Sequence, residues 1–569
     1  MKIFSKKSIT IYTIIILILS MLIFEIGYCN SQIITTSGAE YNFSLCRIII
    51  YIVFIALYCI FHKKFVETAL QTTENKIKRI FIYLVTALGI IATCVLLIYS
   101  TYIETKLLRA GAIAEILCLL STLFIIYVSN DFSKNIIITA CTFGIIFTFT
   151  TNFNHAVDEK KHFMSALNVS FLNFDYLENP ITDKKIEELP QLSKFTTIDE
   201  FLKNDYEPEV TNEVDKEDTP STPANYNVIT YIFPALGIAI ARILNGSIID
   251  MYILGRIMNL VLYTVLVYIA FKILPFKKNI FYVIAFMPYM LLLASSYSVD
   301  GLCLGTIYIF TAYCFKLFKE CETITLKQFL IFLALFLIML IGKGTGYMLL
   351  AILVFLLPLS KTIKKNKKYL PQIITAVIIF VIIATAFIIY LKNTKINSDG
   401  DSRGQGTINA VEQLNMVLTH PIYDVKIALE HIKRTLLNFN WLAELYQGTF
   451  FNGNENSANV FLVMMLFVLY VALTEEDHNF KIKEKIILLL AFFLGYGMTS
   501  AIMYLSFTAV GELHIAGYQP RYLFPILPLL LCCLSGNYIK TNSCKNRTLN
   551  ITICSGIFLG IGLIQVILG

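Results

Sequence analysis

Residues 250–271 of the chain read DMYILGRIMNLVLYTVLVYIAF, an apolar run whose interior holds one charged residue, Arg256. The hydrocarbon core of a bilayer is about 30 Å thick, and about 20 apolar residues in a helix cross it. Lipid offers no partners to the backbone, so a segment that crosses it must pair its own N–H and C=O groups, as a helix does. The run therefore predicts a membrane-spanning α-helix.

The composition of the whole chain extends this prediction. Of its 569 residues, 57% are hydrophobic and 15% are charged, and the mean hydropathy is +0.69. Soluble domains carry about 25% charged residues, so most of this chain is predicted to lie in lipid. A soluble enzyme, a disordered protein and a nucleic-acid reader are thereby excluded. The 13 cysteines lack C-x-x-C or Cys/His zinc spacing and predict no metal cluster.

Fifteen other runs are similarly long and apolar, which gives sixteen candidate spans. They are 9–28, 45–61, 80–100, 111–129, 135–151, 228–246, 250–271, 279–297, 300–318, 326–342, 345–360, 371–391, 458–474, 484–505, 521–536 and 551–568. Short loops rich in Lys and Arg stay cytoplasmic, which places the N-terminus inside and residues 152–226 outside. That outer segment holds 16 Asp/Glu and 7 Lys/Arg, a net charge of −9, and leaves +16 for the rest of the chain.

The later lysines favour fifteen spans rather than sixteen. If 228–246 crossed the membrane, the lysines at 277–278 and the five lysines within 361–368 would lie outside. If 228–246 instead lies along the outer interface, both groups fall inside, as do the basic residues of 540–547. We therefore predict an all-α, polytopic integral membrane protein with about 15 transmembrane helices and an outer juxtamembrane helix at 228–246.

An acidic stretch, DEKKHF at 158–163, lies just beyond the span 135–151. In a helix that begins near Asp158, Asp158 and His162 share a face (i, i+4), while Glu159 points elsewhere. A carboxylate at this position could take a proton from a hydroxyl nucleophile or hold a divalent metal. It could equally be an acidic helix start that is favoured by the backbone dipole.

Three more polar residues lie at predicted outer ends of spans. Asp300 lies at a tight turn, where it is either the N-cap of the next helix or a second acid above the same cavity. Lys343 lies in GKGTG at 342–346, which lacks the full phosphate-loop pattern, and it either snorkels to the interface or binds a lipid phosphate. Arg521 opens a helix end and is well shaped for a bidentate phosphate contact.

Two further features are open to more than one interpretation. Arg256 lies about one and a half turns inside its span, where a charge is costly, so it marks either a function or an ion pair with Asp250 or Asp300. Residues 410–450 have a mixed amphipathic pattern, which predicts helices on the membrane surface with Trp441 as an anchor.

Together these stretches resemble the GT-C superfamily of polytopic glycosyltransferases, which use polyprenyl-phosphate-linked donors. More closely, the chain resembles the bacterial membrane proteins grouped as domain of unknown function family 2142. The resemblance covers about residues 135–536 and rests on four stretches in the family's order. They are DEKKHF at 158–163, SYSVD at 296–300, KGTGY at 343–347 and QPRYLFP at 519–525. Val157 and Pro520 stand where the family usually has Pro and Gly.

The resemblance implies a division of the chain into three parts. A GT-C-like core at 131–540 would contain the outer loops 152–226 and 392–457 and the outer juxtamembrane helix. Residues 1–130 would be an N-terminal four-helix transmembrane extension. Residues 541–569 would form a C-terminal transmembrane helix.

The resemblance also implies roles for individual residues. Asp158 would be the catalytic base that activates the acceptor hydroxyl, with Glu159 orienting it, and the two could also hold Mg²⁺ or Mn²⁺. Lys343 and Arg521 would hold the phosphate of the donor and stabilise it as the sugar leaves. The other implied substrate contacts are His162, Arg256, Asp300 and Tyr522.

The expected function is transfer of a sugar from a polyprenyl-phosphate donor to a cell-surface glycan or lipid, at the outer face of the cell membrane. That face lacks nucleotide sugars, so a donor must arrive on a lipid. One alternative is a transporter or flippase for a lipid-linked saccharide, and another is a polymerase or ligase of surface polysaccharide. The expected partners are membrane lipid, the lipid-linked sugar and the glycan acceptor, and no nucleic acid is expected.

Overall fold

A computed structural model describes much of the chain after residue 123. The described residues are 124, 127–151, 156–177, 179, 223–224, 226–244, 248–358, 408–447, 456–536, 538 and 546–568. All regular secondary structure within these ranges is helical, which confirms the predicted all-α class. The predicted spans 9–28, 45–61, 80–100 and 371–391, and nearly all of the predicted extension 1–130, lie outside the described residues.

Sixteen α-helices make up most of the described residues. They are α1 (Phe132–Thr139), α2 (Ile145–Thr150), α3 (Glu159–Ser170), α4 (Ile232–Ile243), α5 (Ile248–Ile273), α6 (Lys278–Ala285), α7 (Pro288–Ala294), α8 (Asp300–Glu320), α9 (Leu326–Met339), α10 (Ala410–Thr419), α11 (Pro421–Arg434), α12 (Phe439–Gln447), α13 (Asn456–Leu473), α14 (Ile482–Phe507), α15 (Leu527–Leu534) and α16 (Arg547–Leu568). A π-helical turn, Ala140–Gly144, joins α1 to α2. Three 3₁₀ helices lie at Val228–Tyr231, Gly342–Leu356 and Pro520–Leu523.

Three helices of the described part are long and apolar enough to cross a membrane, judged by length and composition. They are α5 from Asp250 onward, α8 and α14. The predicted spans 250–271, 300–318 and 484–505 fall within them. The membrane character of the chain is therefore confirmed, and the count of fifteen spans remains a prediction.

The predicted span at 279–297 consists of two short helices, and its crossing of the membrane stays a prediction. α6 ends at Ala285, and α7 begins at Pro288. Proline has no N–H to donate and its ring clashes with the preceding turn, so it starts a new helix rather than continuing one. All residues from 279 to 300 are buried, so this segment lies within the protein and does not face lipid.

α4 packs against both α3 and α5, and its contact with α5 is unusually close. A Cβ atom placed on Gly237 would lie 2.4 Å from the carbonyl oxygen of Leu254, so only glycine permits this approach. Because α3, α4 and α5 meet here, the polar residues at their ends are brought together. Phe163 of α3 stacks on Tyr252 of α5 with 4.1 Å between ring centroids.

α4 and the 3₁₀ turn before it form an apolar helix that is too short to cross a bilayer. The two elements cover Val228–Ile243, and at 1.5 to 2.0 Å per residue they extend roughly 26 Å. A stripe of exposed apolar side chains runs along them at helical spacing: Ile229, Ile232, Phe233, Leu236, Ile240 and Ile243. Such a stripe is typical of a helix that lies along a membrane surface, as predicted for 228–246.

α10 and α11 carry a second exposed apolar stripe, in the region predicted to lie on the membrane surface. Its members are Val411, Leu414, Leu418, Ile422, Val425 and Leu429. Trp441, in the following α12, stacks on Tyr518 with 5.9 Å between ring centroids and 16° between planes. Trp441 thus has an aromatic partner within the protein, and its predicted anchor role stays a prediction.

A cluster of charged residues lies at the end of the bundle where α5 and α8 terminate. Glu475 accepts hydrogen bonds from Arg547 Nη2 at 2.9 Å and from Asn279 Nδ2 at 2.8 Å. Lys277 donates to the Glu475 carbonyl at 2.8 Å and pairs with Asp477 at 3.3 Å. Lys277 and Arg547, which the charge distribution predicts on one side of the membrane, therefore lie at one end of the structure.

We expect the protein to lose stability as the pH rises from 5 to 8, in part because of Glu475. Burial, and then the neighbouring Asp477 carboxylate, raise the pKa of the Glu475 carboxyl to about 7, from 4.5 in the unfolded chain. Between these values the folded state binds more protons than the unfolded state, so the contribution to stability falls as the pH rises, by at most about 1.4 kcal/mol per pH unit. Thermal unfolding of the detergent-purified protein across this range measures the effect.

Glu475→Gln cannot titrate and is expected to flatten that pH dependence. Glu476→Gln is the matched control, because Glu476 is the next residue and is exposed. A pH dependence that survives Glu475→Gln would contradict the prediction.

Candidate functional site

Asp300, Lys343 and Arg521, from three of the four motif stretches, are in direct contact. Lys343 Nζ lies 2.8 Å from Asp300 Oδ1, and Arg521 Nη1 lies 3.3 Å from Asp300 Oδ2. The exposed fractions of their side chains are only 4% for Arg521, 9% for Asp300 and 13% for Lys343. Two cations share one carboxylate, so this triad carries one net positive charge in a largely buried place.

Asp300 begins α8, and the turn before it holds its carboxylate. Ser298 Oγ donates to Asp300 Oδ2 at 2.9 Å, and the Asp300 N–H donates back to Ser298 Oγ at 3.2 Å. Asn259 of α5 fixes the same turn by donating to the carbonyls of Ser296 and Ser298, at 2.7 and 3.0 Å. Val299 is the N-cap of α8 and Asp300 is its first residue, so the predicted N-cap role of Asp300 is wrong, whereas its role as a second acid of the site stays a prediction.

Two glycines shape the turn that presents Lys343. Gly342 has φ +67°, in the left-handed region that glycine adopts without strain. A Cβ atom on Gly344 would lie 1.5 Å from the Met339 carbonyl oxygen, so no larger residue fits there. The turn aims Lys343 at Asp300, and this largely buried ion pair does not favour the predicted snorkelling of Lys343 to the interface.

Arg521 lies in the 3₁₀ helix Pro520–Leu523, next to Tyr522. The Tyr522 ring centroid is 5.6 Å from Lys343 Nζ and 5.5 Å from the Arg521 guanidinium carbon, and Tyr347 Oη donates to the Tyr522 carbonyl at 2.8 Å. Arg521 Nε is buried without a hydrogen-bond partner in the described residues. A buried unpaired donor costs about 1–3 kcal/mol, so the guanidinium is held at the triad with part of its hydrogen-bonding capacity unused.

His162 lies beside the triad. It is 4% exposed, its Nδ1 lies 2.8 Å from Tyr231 Oη, and its ring packs against those of Tyr226 and Tyr231. Burial, and then the Lys343 charge, lower the pKa of His162 to about 3, while Asp158 acts in the opposite direction. His162 is therefore neutral at physiological pH, and it interacts electrostatically with both Lys343 and Asp158.

Asp158 has a left-handed backbone conformation, with φ 57° and ψ 22°, immediately before α3. Non-glycine residues seldom adopt this conformation, although Asp and Asn tolerate it better than most. The side chain is partly exposed and makes no capping hydrogen bond to the helix. Asp158 and Glu159 therefore lie at the start of α3, in agreement with the predicted acidic helix start, and a catalytic role for Asp158 stays a prediction.

Glu159 and Arg256 form a fully buried, bidentate ion pair away from solvent. Arg256 Nε donates to Glu159 Oε1 at 2.8 Å, and Arg256 Nη2 donates to Glu159 Oε2 at 2.9 Å. Arg256 Nη1 donates to the carbonyls of Thr148 and Thr151, at 3.1 and 2.8 Å. Arg256 thus pairs with Glu159, whereas the ion-pair alternative from the sequence named Asp250 or Asp300. Its predicted contact with substrate does not fit a side chain that is 0% exposed.

Glu159 also holds the backbone on both sides of the site. Its Oε1 accepts a hydrogen bond from the Tyr297 N–H at 3.1 Å, in the turn that leads to Asp300. Its Oε2 lies 3.4 Å from the Ala156 N–H, in the turn that leads to Asp158. The orienting role predicted for Glu159 fits these contacts.

The predicted metal site at Asp158 and Glu159 does not fit the donor set. Both Glu159 oxygens already accept hydrogen bonds from Arg256. Within the described residues, no group of three or more His, Cys, Asp or Glu side chains could hold a metal ion.

The residues of the four predicted motifs therefore fall into two groups, those that meet at the triad and those that support the turns around it. Asp300, Lys343, Arg521 and Tyr522 converge, and His162 joins them. Glu159 and Arg256 support the turns beneath. The sequence pattern does not single out Tyr226 and Tyr231, which flank His162, because an aromatic residue before a juxtamembrane helix carries no signal of its own.

The comparisons with known proteins agree with the predicted family. Residues 141–530 match the family described as "Predicted membrane protein (DUF2142)". The chain matches no curated protein and no solved structure. The match covers more than half of the chain and includes the four motif stretches, so this protein belongs to the DUF2142 family of predicted membrane proteins.

Proposed function

We propose that this protein is a membrane glycosyltransferase with a GT-C-like core, which transfers a sugar from a polyprenyl-phosphate donor to a surface glycan or lipid. In this proposal the chain crosses the cell membrane about fifteen times with a cytoplasmic N-terminus. The end that carries Asp300 faces outward, and the end that carries Glu475 faces the cytoplasm. The long loops 152–226 and 392–457 then cover the outer face.

The observation that carries the proposal is the excess positive charge of the triad. Two cations, Lys343 and Arg521, share the single carboxylate of Asp300 at 2.8 and 3.3 Å. An anionic phosphate would balance the remaining charge. In a partly desolvated site the attraction between such charges is stronger than in water. Arg521, with an unused Nε–H, suits a phosphate better than a neutral sugar.

The proposed reaction uses Asp158 as base and the triad as the phosphate site. Asp158 takes the proton of the acceptor hydroxyl while the hydroxyl oxygen forms a bond to the anomeric carbon of the sugar. The bond from that carbon to the phosphate oxygen breaks, and its electron pair leaves on the polyprenyl phosphate. Lys343 and Arg521 stabilise the negative charge that develops there.

The distribution of charge along the long helices supports an enzyme over a transporter. In α5, α8 and α14 the acidic and basic residues lie within the first four or the last five residues, apart from Arg256. Arg256 is already paired with Glu159. A path for a saccharide through the membrane needs polar groups along its length, and these three helices do not offer charged ones.

The proposal is tested by the sugar content of purified surface glycan. The glycan is compared between cells that carry the native chain, Asp158→Asn or Arg521→Ala. We expect both variants to lack the same sugar at matched membrane levels, because one loses the base and the other loses the phosphate contact. If the protein also transports lipid-linked saccharide, vesicles that contain Asp158→Asn should still move it across their membrane, because that variant loses only the base. Unchanged glycan in both variants would overturn the glycosyltransferase proposal and favour a transporter.

A further inference from the structure

Tyr231 links the juxtamembrane helix to the candidate site through one hydrogen bond. It is the last residue of the 3₁₀ turn before α4, is 2% exposed, and its hydroxyl oxygen lies 2.8 Å from His162 Nδ1. The apolar stripe of the same helix begins at Ile229, within this turn, and continues at Ile232, directly after it. A residue of the surface helix therefore reaches the centre of the site.

The direction of this hydrogen bond depends on the tautomer of His162. A buried phenolic O–H must donate to an acceptor, because an unpaired buried donor is costly. Two acceptors lie beside Tyr231 Oη: His162 Nδ1 at 2.8 Å, and Ser165 Oγ, which accepts from the N–H of Ala224 and keeps a second lone pair. Donation to His162 requires a bare Nδ1, whereas donation to Ser165 would require a proton on Nδ1.

An acceptor at Nδ1 fixes the proton of a neutral imidazole on Nε2. In the described residues, His162 Nε2 makes no hydrogen bond to the protein, although the ring is enclosed by Tyr226 and Tyr231. Lys343, Asp158, Asp300 and Arg521 all lie near enough to act on the electrostatics of this ring. With Nδ1 as the acceptor, Nε2–H is a donor without a protein partner among the described residues. The 3₁₀ turn of Tyr231 also lies against the turn of Lys343, since a Cβ atom on Gly342 would lie 3.6 Å from Thr230 Oγ1.

We propose that Tyr231 is a positioning residue, which donates to His162 Nδ1 and thereby holds His162 as a neutral Nε2–H donor to the anionic ligand of the triad. This rests on the proposed function for the identity of the ligand, a lipid-linked phosphate. It excludes His162 as the base of the reaction, because its remaining nitrogen carries a proton. The same bond ties the surface helix to the ligand, so seating of that helix on the membrane and ligand binding are coupled.

Nitrogen-15 spectra of histidine-labelled protein in liposomes test the proposal directly. The His162 signals are assigned as those that are missing in His162→Gln. We expect the native protein to show an unprotonated, hydrogen-bonded Nδ1 and a protonated Nε2. In Tyr231→Phe, the Nδ1 signal should move to the position of a free acceptor, or a second tautomer should appear.

Tyr176→Phe is the matched control for loss of a hydroxyl in the same aromatic cluster. Tyr176 packs against Tyr231 at 6.3 Å between ring centroids, and its hydroxyl donates to the Tyr226 carbonyl and makes no bond to His162. The control should leave the His162 signals in place. A general loosening of the cluster would instead move them in both variants and would overturn the proposal.

Binding of polyprenyl phosphate to the same preparations gives the second readout. We expect Tyr231→Phe to weaken binding about five- to tenfold, the size of one hydrogen bond, and Tyr176→Phe to leave it unchanged. A protonated Nδ1 in the native protein, or native spectra and binding in Tyr231→Phe, would overturn the role of Tyr231. If the native protein binds no polyprenyl phosphate, the proposed function fails, while the spectra still decide whether Tyr231 sets the His162 tautomer.

Discussion

Replacing Glu159 with Gln is expected to destabilise the folded protein by about 3–5 kcal/mol, because Arg256 then lies buried without a counter-charge. Both side chains are 0% exposed, and Arg256 donates to both oxygens of the carboxylate. Gln has one oxygen in place of the two that accept from the Tyr297 and Ala156 N–H groups, so one of the turns that lead to Asp158 and Asp300 also loses its acceptor at position 159. The loss should appear as a lower midpoint of thermal unfolding in detergent and as less protein in the membrane.

A double variant separates the charge from the shape of this pair. Glu159→Gln combined with Arg256→Met removes both charges, and we expect it to recover part of the stability that either single change loses. Recovery should be incomplete, because the carbonyls of Thr148 and Thr151 lose their donor. Glu430→Gln is the control: it breaks an exposed pair with Arg434 on α11 and should have no measurable effect. Equal losses in the single and double variants would contradict the prediction.

Replacing Asp158 with Asn is expected to lower the rate of sugar transfer by about 10²- to 10⁴-fold, the usual contribution of a general base. Asn has the same shape and also tolerates the left-handed backbone at this position, where φ is 57°. The folded structure should therefore persist, and the loss should fall on kcat rather than on donor binding. Transfer from a polyprenyl-phosphate sugar by the purified protein in liposomes measures both.

Two further substitutions at position 158 control for the backbone. Asp158→Gly relieves the left-handed strain and removes the carboxylate, so we expect it to be as inactive as Asp158→Asn and at least as stable. Asp158→Glu keeps a carboxylate and should retain more activity than either. Full activity in Asp158→Asn or Asp158→Gly would exclude Asp158 as the base.

The sequence predicts the positions of the polar residues better than their partners. Apolar runs mark the long helices, and their limits alone correctly place Asp300, Lys343 and Arg521 at helix ends. Antiparallel helices return the chain to the same end, which is why residues more than 40 positions apart meet at Asp300. The pairing of Arg256 could not be predicted, because Glu159, Asp250 and Asp300 are all acidic and close in topology.

Hydropathy does not predict where a helix is interrupted or which individual side chains are in contact. The run at 279–297 is mostly apolar, and only Pro288 signals that it forms two helices rather than one continuous helix. Likewise, Tyr231 lies in an apolar stretch, and its link to His162 depends on how α4 packs against α3 and α5. The predictions for residues 1–123 and 359–407 lie outside the described residues and stay predictions.

The buried pair of Glu159 and Arg256 also sets an order of events during synthesis. The two residues are 97 positions apart in the chain. A ribosome adds about 5–20 residues per second, so Glu159 emerges roughly 5–20 s before the arginine that neutralises it. Throughout that interval α3 has no cation to dock against, and the turn that leads to Asp158 lacks its anchor. The first acidic motif therefore acquires its final shape only after α5 has been made. The N-terminal part of the site is thus completed after a helix that follows it in the chain.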